Sequence, residues 1–293
     1  MLLLLAETVE KMQTLEIYQS LWAMELRNPN LAEPGCEDNF QKVAEAGFDG
    51  LCLDPAVDEI PECRALAELY EQYGLGCMLN AFPSAAEDMQ PLLGLADELG
   101  ARLVNVISGV MPIKPESAVE VVRRWIREAR DADISLLFET HRDGLLNDLY
   151  FTLQLIDLVP EIRLCADLSH FVVDRELRAP IPPRDEAYIQ TILERSDCFQ
   201  GRIANREQVQ IQISFPQHQE WVDIFKGWWR DGIKMWRQRN ADDATLIFLC
   251  ELGPPPYAIT DACQNELSDR WQESLQIREW IQNIWAELEN DDE

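Results

Sequence analysis

Eight short apolar runs, each closing near a polar residue and each followed by a stretch of helical character, constrain this 293-residue chain more than any other feature. They span 15–24, 50–53, 76–79, 103–107, 134–138, 162–166, 198–204 and 245–250, and recur at intervals of roughly 25 to 45 residues. Helical segments are predicted between and after them, over 38–46, 62–73, 86–99, 117–132, 145–158, 186–195, 217–239 and 266–288. Strands that alternate with helices in this way form a parallel sheet, because the helix returns the chain to the start of the next strand. Eight such units fill a single (β/α)8 barrel, typically about 250 residues long. No linker, low-complexity stretch or composition break divides the chain, so residues 1–293 read as one domain.

In a parallel barrel the loops after the strand ends build the active site. Most of the runs end in a side chain that offers an oxygen: Glu25, Asp54, Asn80, Glu139, Asp167, Gln200 and Glu251. Converging strands would crowd these groups at one mouth. Several carboxylates there ionise cheaply only beside a cation, so a divalent metal is expected. Oxygen-rich ligation favours Mn²⁺ or Mg²⁺, with Zn²⁺ as the alternative. Alternation along the fifth strand turns Glu139 and His141 to one face and Thr140 to the other.

Composition narrows the partners. Lys+Arg 25 against Asp+Glu 53 gives a formal net charge of −28, which repels phosphate backbones and anionic membranes. The substrate is therefore expected to be a small molecule, neither nucleic acid nor membrane. The first residues, Met-Leu-Leu-Leu-Leu-Ala-Glu, lack the basic region of a signal peptide, and no later run approaches the ~20 residues of a membrane span. Cys52, Cys77, Cys165 and Cys250 lie in apolar runs and no C-x-x-C pair occurs, so reduced thiols and a cytoplasmic location are expected. Trp228, Trp229, Trp236, Trp271, Trp280 and Trp285 sit at helical spacings in the last two helices, where packing on the barrel or a homo-oligomer contact explains them.

The segments Phe138-Glu-Thr-His141, Ala166-Asp-Leu-Ser-His170 and Cys250-Glu-Leu-Gly-Pro-Pro-Pro-Tyr257 resemble, in order and separation, the xylose isomerase-like TIM barrels, often called sugar phosphate isomerases/epimerases. The stretch Gly201-Arg-Ile-Ala-Asn-Arg206 through Ile211, followed by Trp228-Trp229, resembles the strand 7 region of bacterial members. The resemblance implies a metal held by Glu139, Asp167, Gln200 and Glu251. Glutamine departs from the family's strand 7 histidine, and the three histidines, His141, His170 and His218, leave none for that position. It further implies substrate contacts from His170 and Arg206, and proton exchange by Glu139 and Glu251 through an enediolate. His141 reads as a substrate contact, a support for another site residue or an interior histidine. Arg202 is a further candidate for substrate binding, and Arg142, Arg202 and Arg206 leave an anionic group open.

These features imply a metal-dependent isomerase or epimerase of carbohydrate metabolism acting on a sugar or related hydroxy-carbonyl compound. The missing strand 7 histidine keeps a second class in view, a catalytically degenerate barrel that binds a small molecule or protein. A lyase or dehydratase would use the same scaffold. A DNA-repair endonuclease needs more histidines, and a Schiff-base aldolase needs a strand-end lysine that is lacking here. A phosphorylated substrate lacks support, because Gly253-Pro-Pro-Pro256 offers few backbone donors.

Overall fold

A computed structural model describes residues 12–292. Residues 1–11, which carry the expectation about a signal peptide, and residue 293 lie outside the described residues. The strands are β1 (Thr14–Ser20), β2 (Gly50–Leu53), β3 (Gly76–Ala81), β4 (Leu103–Val106), β5 (Leu136–Glu139), β6 (Leu164–Ala166), β7 (Ser196–Gln200) and β8 (Thr245–Cys250). Each pairs in parallel with the next, and β1 pairs with β8, so the sheet closes into the expected (β/α)8 barrel. Around it lie α1 (Cys36–Glu45), α2 (Ile60–Arg64), α3 (Ala67–Tyr73), α4 (Met89–Glu98), α5 (Pro115–Asp131), α6 (Leu149–Leu158), α7 (Leu168–Asp174), α8 (Pro183–Arg195), α9 (Gln219–Arg239) and α10 (Arg270–Asp292). Among the described residues no helix is long and apolar enough to cross a membrane.

The barrel interior is closed by an apolar layer: Tyr18, Cys52, Met78, Leu103, Leu137, Cys165, Cys198, Ile247 and Leu249. Tyr18 explains two neighbouring glycines. A Cβ on Gly76 would lie 2.1 Å from its hydroxyl, and one on Gly50 would lie 2.5 Å from its ring. The ring fills space that side chains on β2 and β3 would otherwise take. Outside the strands, Trp229 of α9 meets Phe248 of β8 edge-on at 5.4 Å, and Trp236 packs on Trp285 at 6.2 Å. Burying each large apolar side chain in such layers contributes about 1.5–3 kcal/mol.

Several boundaries differ from the sequence pattern for local reasons. The first strand ends at Ser20, because its Oγ accepts from the Ala23 N–H at 3.2 Å and starts a 3-10 turn over Trp22–Met24. The seventh ends at Gln200, after which Gly201 N–H donates to Leu249 O at 2.6 Å and the chain leaves the sheet. The helix predicted from Leu145 begins at Leu149, where Asp148 Oδ1 caps it by accepting from the Tyr150 and Phe151 amides at 2.7 and 3.0 Å. The 62–73 helix is two pieces, α2 and α3, and α7 directly follows β6.

Candidate active site

The strand ends bring together most of the residues singled out above. Glu139 closes β5, Asp167 follows β6, Gln200 closes β7 and Glu251 follows β8, and all four are at most 3 % exposed. Oxygens of Glu139, Asp167 and Glu251 lie within 4.8 Å of one another. Thr140 faces the other way, as alternation requires, and its Oγ1 donates to Asp167 O at 2.8 Å, tying the two strand ends together. Asp167 divides its carboxylate between two tasks. Oδ1 caps α7, accepting from Ser169 N and Oγ at 3.0 and 2.5 Å, while Oδ2 is buried without a hydrogen-bond partner.

A hydrogen-bonded chain of amides links the carboxylates. Asn105 Nδ2 donates to Glu139 Oε2 and, at 2.8 Å, to Asn80 Oδ1. Asn80 Nδ2 donates to Asp54 Oδ1 at 2.9 Å and to Glu251 Oε1 at 3.1 Å. Gln200 Nε2 donates to Glu139 Oε2 at 2.7 Å, which leaves Gln200 Oε1 buried and unpartnered. Arg202 donates through Nη2 to Glu251 Oε2 at 2.8 Å and through Nε to Glu251 O at 3.0 Å. Its Nη1 stands 3.6 Å from Asp167 Oδ2.

Burial here works against charge. It pushes the Glu139 carboxyl well above the usual carboxylate range, with the charges of Glu251 and Asp167 adding to the effect. It raises Glu251 to about 8 and Asp54 to about 7, although Arg202 and Asn80, respectively, oppose the rise. Asp167 is raised as well, chiefly by burial, despite Arg202 and its helix-cap bonds. The guanidinium of Arg202 rises in spite of its own burial, because Asp167 and Glu251 hold its charge.

The two histidines share one side of the mouth. His141 and His170 pack with ring centroids 4.1 Å apart and planes tilted by 52°, and with Glu139 they form a second group of potential ligand atoms within 4.8 Å. His141 Nδ1 accepts the Asp143 N–H at 3.1 Å, which places the proton of the neutral ring on Nε2. Burial and the nearby Arg202 lower its pKa to about 4, so it is neutral at pH 7. His170 is fully buried, and neither ring nitrogen has a hydrogen-bond partner. Its Nε2 lies 3.4 Å from Asp167 Oδ2.

The groups open into a cavity of about 470 Å³ whose wall includes Trp22, Phe82, Ile107 and Tyr257. Trp22 and Tyr257 meet edge-on at 5.3 Å over the guanidinium of Arg202. The rim is held by Gln210, which brackets Gly253 through two bonds of 2.7 and 3.0 Å. A Cβ on Gly253 would lie 2.4 Å from Trp22, so glycine is what lets the indole sit there.

Two expected participants stand apart. Glu25 follows the 3-10 turn, is half-exposed and pairs with Arg27. Arg206 is absent from the cavity wall and pairs with Glu176 and Glu207 at the surface. The cause is local: Asn205 Oδ1 accepts from the Glu207 and Gln208 amides at 2.8 and 2.7 Å and folds the segment into a turn. Conversely, Asn105, Trp22 and Tyr257 join the site without having been assigned to it, and Asp54 and Asn80 prove to be linked to Glu251. The apolar rim residues carry no sequence signal of their own.

A divalent cation suits the donor set at this mouth. Asp167 Oδ2 and Gln200 Oε1 are buried oxygens without partners, and three carboxylates face a single guanidinium. Leaving such oxygens desolvated and unmatched costs several kcal/mol, which a cation would offset.

The model of the xylose isomerase-like TIM barrel family matches residues 40–194. Among solved structures, a xylose isomerase-like TIM barrel protein from Mycobacterium smegmatis in complex with magnesium is 17% identical, with a TM-score of 0.55 over 91% of this chain and 97% of that one. A D-allulose 3-epimerase from Methylomonas sp. in complex with D-allulose is 14% identical, with a TM-score of 0.59 over 92% and 97%. An L-ribulose 3-epimerase is 13% identical, with a TM-score of 0.62 over 95% and 97%. No functionally curated protein matches the sequence.

Proposed function

The chain belongs to the xylose isomerase-like TIM barrel family, and from that premise we propose that it is a metal-dependent isomerase or epimerase of a small hydroxy-carbonyl compound, most simply a sugar. The observation that carries this reading is the cluster of Glu139, Asp167 and Glu251, buried, mutually close and provided with unpartnered oxygen donors. The sugar and the magnesium in the structural relatives support it.

Glu139, Asp167, Gln200 and Glu251 would hold the ion, Mn²⁺ or Mg²⁺ for so oxygen-rich a set, with Zn²⁺ as the alternative. When bound, it acts as a Lewis acid on neighbouring carbonyl and hydroxyl oxygens and makes the carbon between them more acidic. Glu139 and Glu251 carry the proton transfers, one removing the proton as carboxylate and the other returning one as acid, through an enediolate. Burial raises the pKa of both carboxyl groups, and at about 8 Glu251 has both forms within reach near neutral pH. Arg202 Nη1, a buried donor without a partner, and the Nε2–H of His141 orient and polarise the substrate oxygens. His170, fully buried, packs behind His141, and the apolar wall receives the C–H face of the substrate and keeps water out.

The test is metal content after purification without chelator, together with solvent deuterium incorporation into ketoses and related compounds. About one Mn²⁺, Mg²⁺ or Zn²⁺ per chain, lost in Glu139→Gln and Glu251→Gln, with exchange only in the loaded wild type, is expected. No bound metal and no thermal stabilisation by any of these ions would sink the proposal. One observation favours a second reading, a binding module without catalysis: Gln200 and Arg202 already engage Glu139 and Glu251. Ligand binding without deuterium incorporation would establish it instead.

A further inference from the structure

We propose that Arg202 is a built-in counter-cation of the mouth, which holds Asp167 and Glu251 when no divalent ion is there and thereby sets how tightly an entering ion binds. The inference rests on the metal reading above and concerns affinity.

Position is the first support. Arg202 is 2 % exposed, makes two bonds to Glu251 of 2.8 and 3.0 Å, and holds Nη1 3.6 Å from Asp167 Oδ2. Its charge therefore sits between two of the three carboxylates whose oxygens gather within 4.8 Å. The second support is confinement. The rings of Tyr257 and Trp22 cover the guanidinium with centroids 4.7 and 5.8 Å away, an arrangement that favours a cation and keeps it from swinging into water. The third is the charge balance. With Glu139, Asp167 and Glu251 all ionised, the form in which they would hold an ion, one guanidinium leaves two net negative charges, enough for a dication; without Arg202 three remain, and the attraction is stronger. Like charges a few ångströms apart in a buried site repel far more strongly than in water, so this term dominates any rearrangement of neutral groups. The same guanidinium stabilises the empty mouth, because removing one partner of a buried pair leaves the others uncompensated.

The experiment titrates MnCl₂ alone into chelator-treated full-length wild type, Arg202→Gln, Arg202→Met and Arg202→Lys by calorimetry, with thermal melts in parallel. The Gln and Met variants should bind Mn²⁺ about tenfold or more tightly than wild type, and the Lys variant, which keeps the charge, within about threefold of it. Without metal the Gln and Met variants should melt lower than wild type, and Mn²⁺ should raise their melting temperature by more. Should the Met variant fail to fold, the Gln variant carries the comparison. Mn²⁺ affinity in the neutral variants that is equal to or weaker than wild type overturns the proposal. So does a Lys variant that tightens as much as the neutral ones, since shape and not charge would then be responsible. Absence of Mn²⁺ binding in all four chains would overturn the metal reading itself, and this inference with it.

Discussion

The two ends of the barrel use the same residue types to opposite effect. At the amino-terminal end, Asp197 of β7 is held by Arg163 at 2.5 and 2.9 Å and by Arg239 at 2.8 Å, and Arg102 lies 3.4 Å from Glu16. There burial would raise the Asp197 carboxyl, but the two arginines outweigh it and hold it below the usual range. At the carboxyl-terminal end one arginine serves several acids, burial wins, and Glu139, Asp167, Glu251 and Asp54 are all raised. Cavity size does not separate the ends, since the space at the amino end measures about 570 Å³ against about 470 Å³ at the mouth. What separates them is whether each charge has a partner: one end is built for cohesion, the other is left unbalanced.

The strongest way to break this contrast is to remove one of the proposed proton-transfer groups. Glu251→Gln is expected to lower the rate of solvent deuterium exchange by about 10²–10⁴-fold while the far-ultraviolet circular dichroism stays unchanged. A comparable loss in Asp197→Asn would erase the distinction between the ends. Next comes cohesion. Asp197→Asn should destabilise the fold by about 1–3 kcal/mol in denaturant titrations, the pair being partly solvent-screened, without altering Mn²⁺ affinity.

Two aspartates then sharpen the contrast through pH. The lowered folded-state value of Asp197 contributes stability above its ordinary range that disappears as pH falls through the folded value. Asp54 runs the other way: raised from 3.8 to about 7, it costs stability as pH rises through that window, by at most about 4 kcal/mol. In metal-free protein, Asp54→Asn should therefore gain relative to wild type between pH 4 and 7, and Asp197→Asn should lose most above pH 4, both read from melting temperatures. The smallest effect belongs to Arg206→Ala. With its guanidinium on Glu176 at the surface, it should leave the melting temperature essentially unchanged and KM for any substrate found within about threefold. A large rise in KM would return Arg206 to the site.

The barrel was legible because its signal is redundant: eight runs, seven crossovers and one ladder all depend on the same spacing. The carboxylate cluster was legible where a strand end and an acidic residue coincide, as at Glu139, Asp167 and Glu251. Arg202 is two residues beyond Gln200, so strand periodicity places both on one face, and the structure follows that rule even though the ladder stops at Gln200. The spacing that suggested Arg206 crosses a loop, and its direction depends on the Asn205 side chain, a choice with no periodic trace. Likewise the start of α6 depends on Asp148 capping it and the end of β1 on the Ser20 hydroxyl, local hydrogen bonds that composition does not reveal. Asn80 and Asn105 look like flaws in apolar strands until the fold shows that their amides are the links between acids.

Tyr18 and the layer around it make the barrel a vessel with one opening. Beneath the carboxylates lie the buried side chains of Met78, Cys165, Cys198 and Leu249, an apolar floor. In the proposed reaction a proton taken from a substrate would therefore share its exit with the substrate itself, past Trp22 and Tyr257. In a single turnover begun with isotopically labelled substrate, the fraction of label kept in the product then times the rim: retention means that the return step outruns the traffic of water at the door.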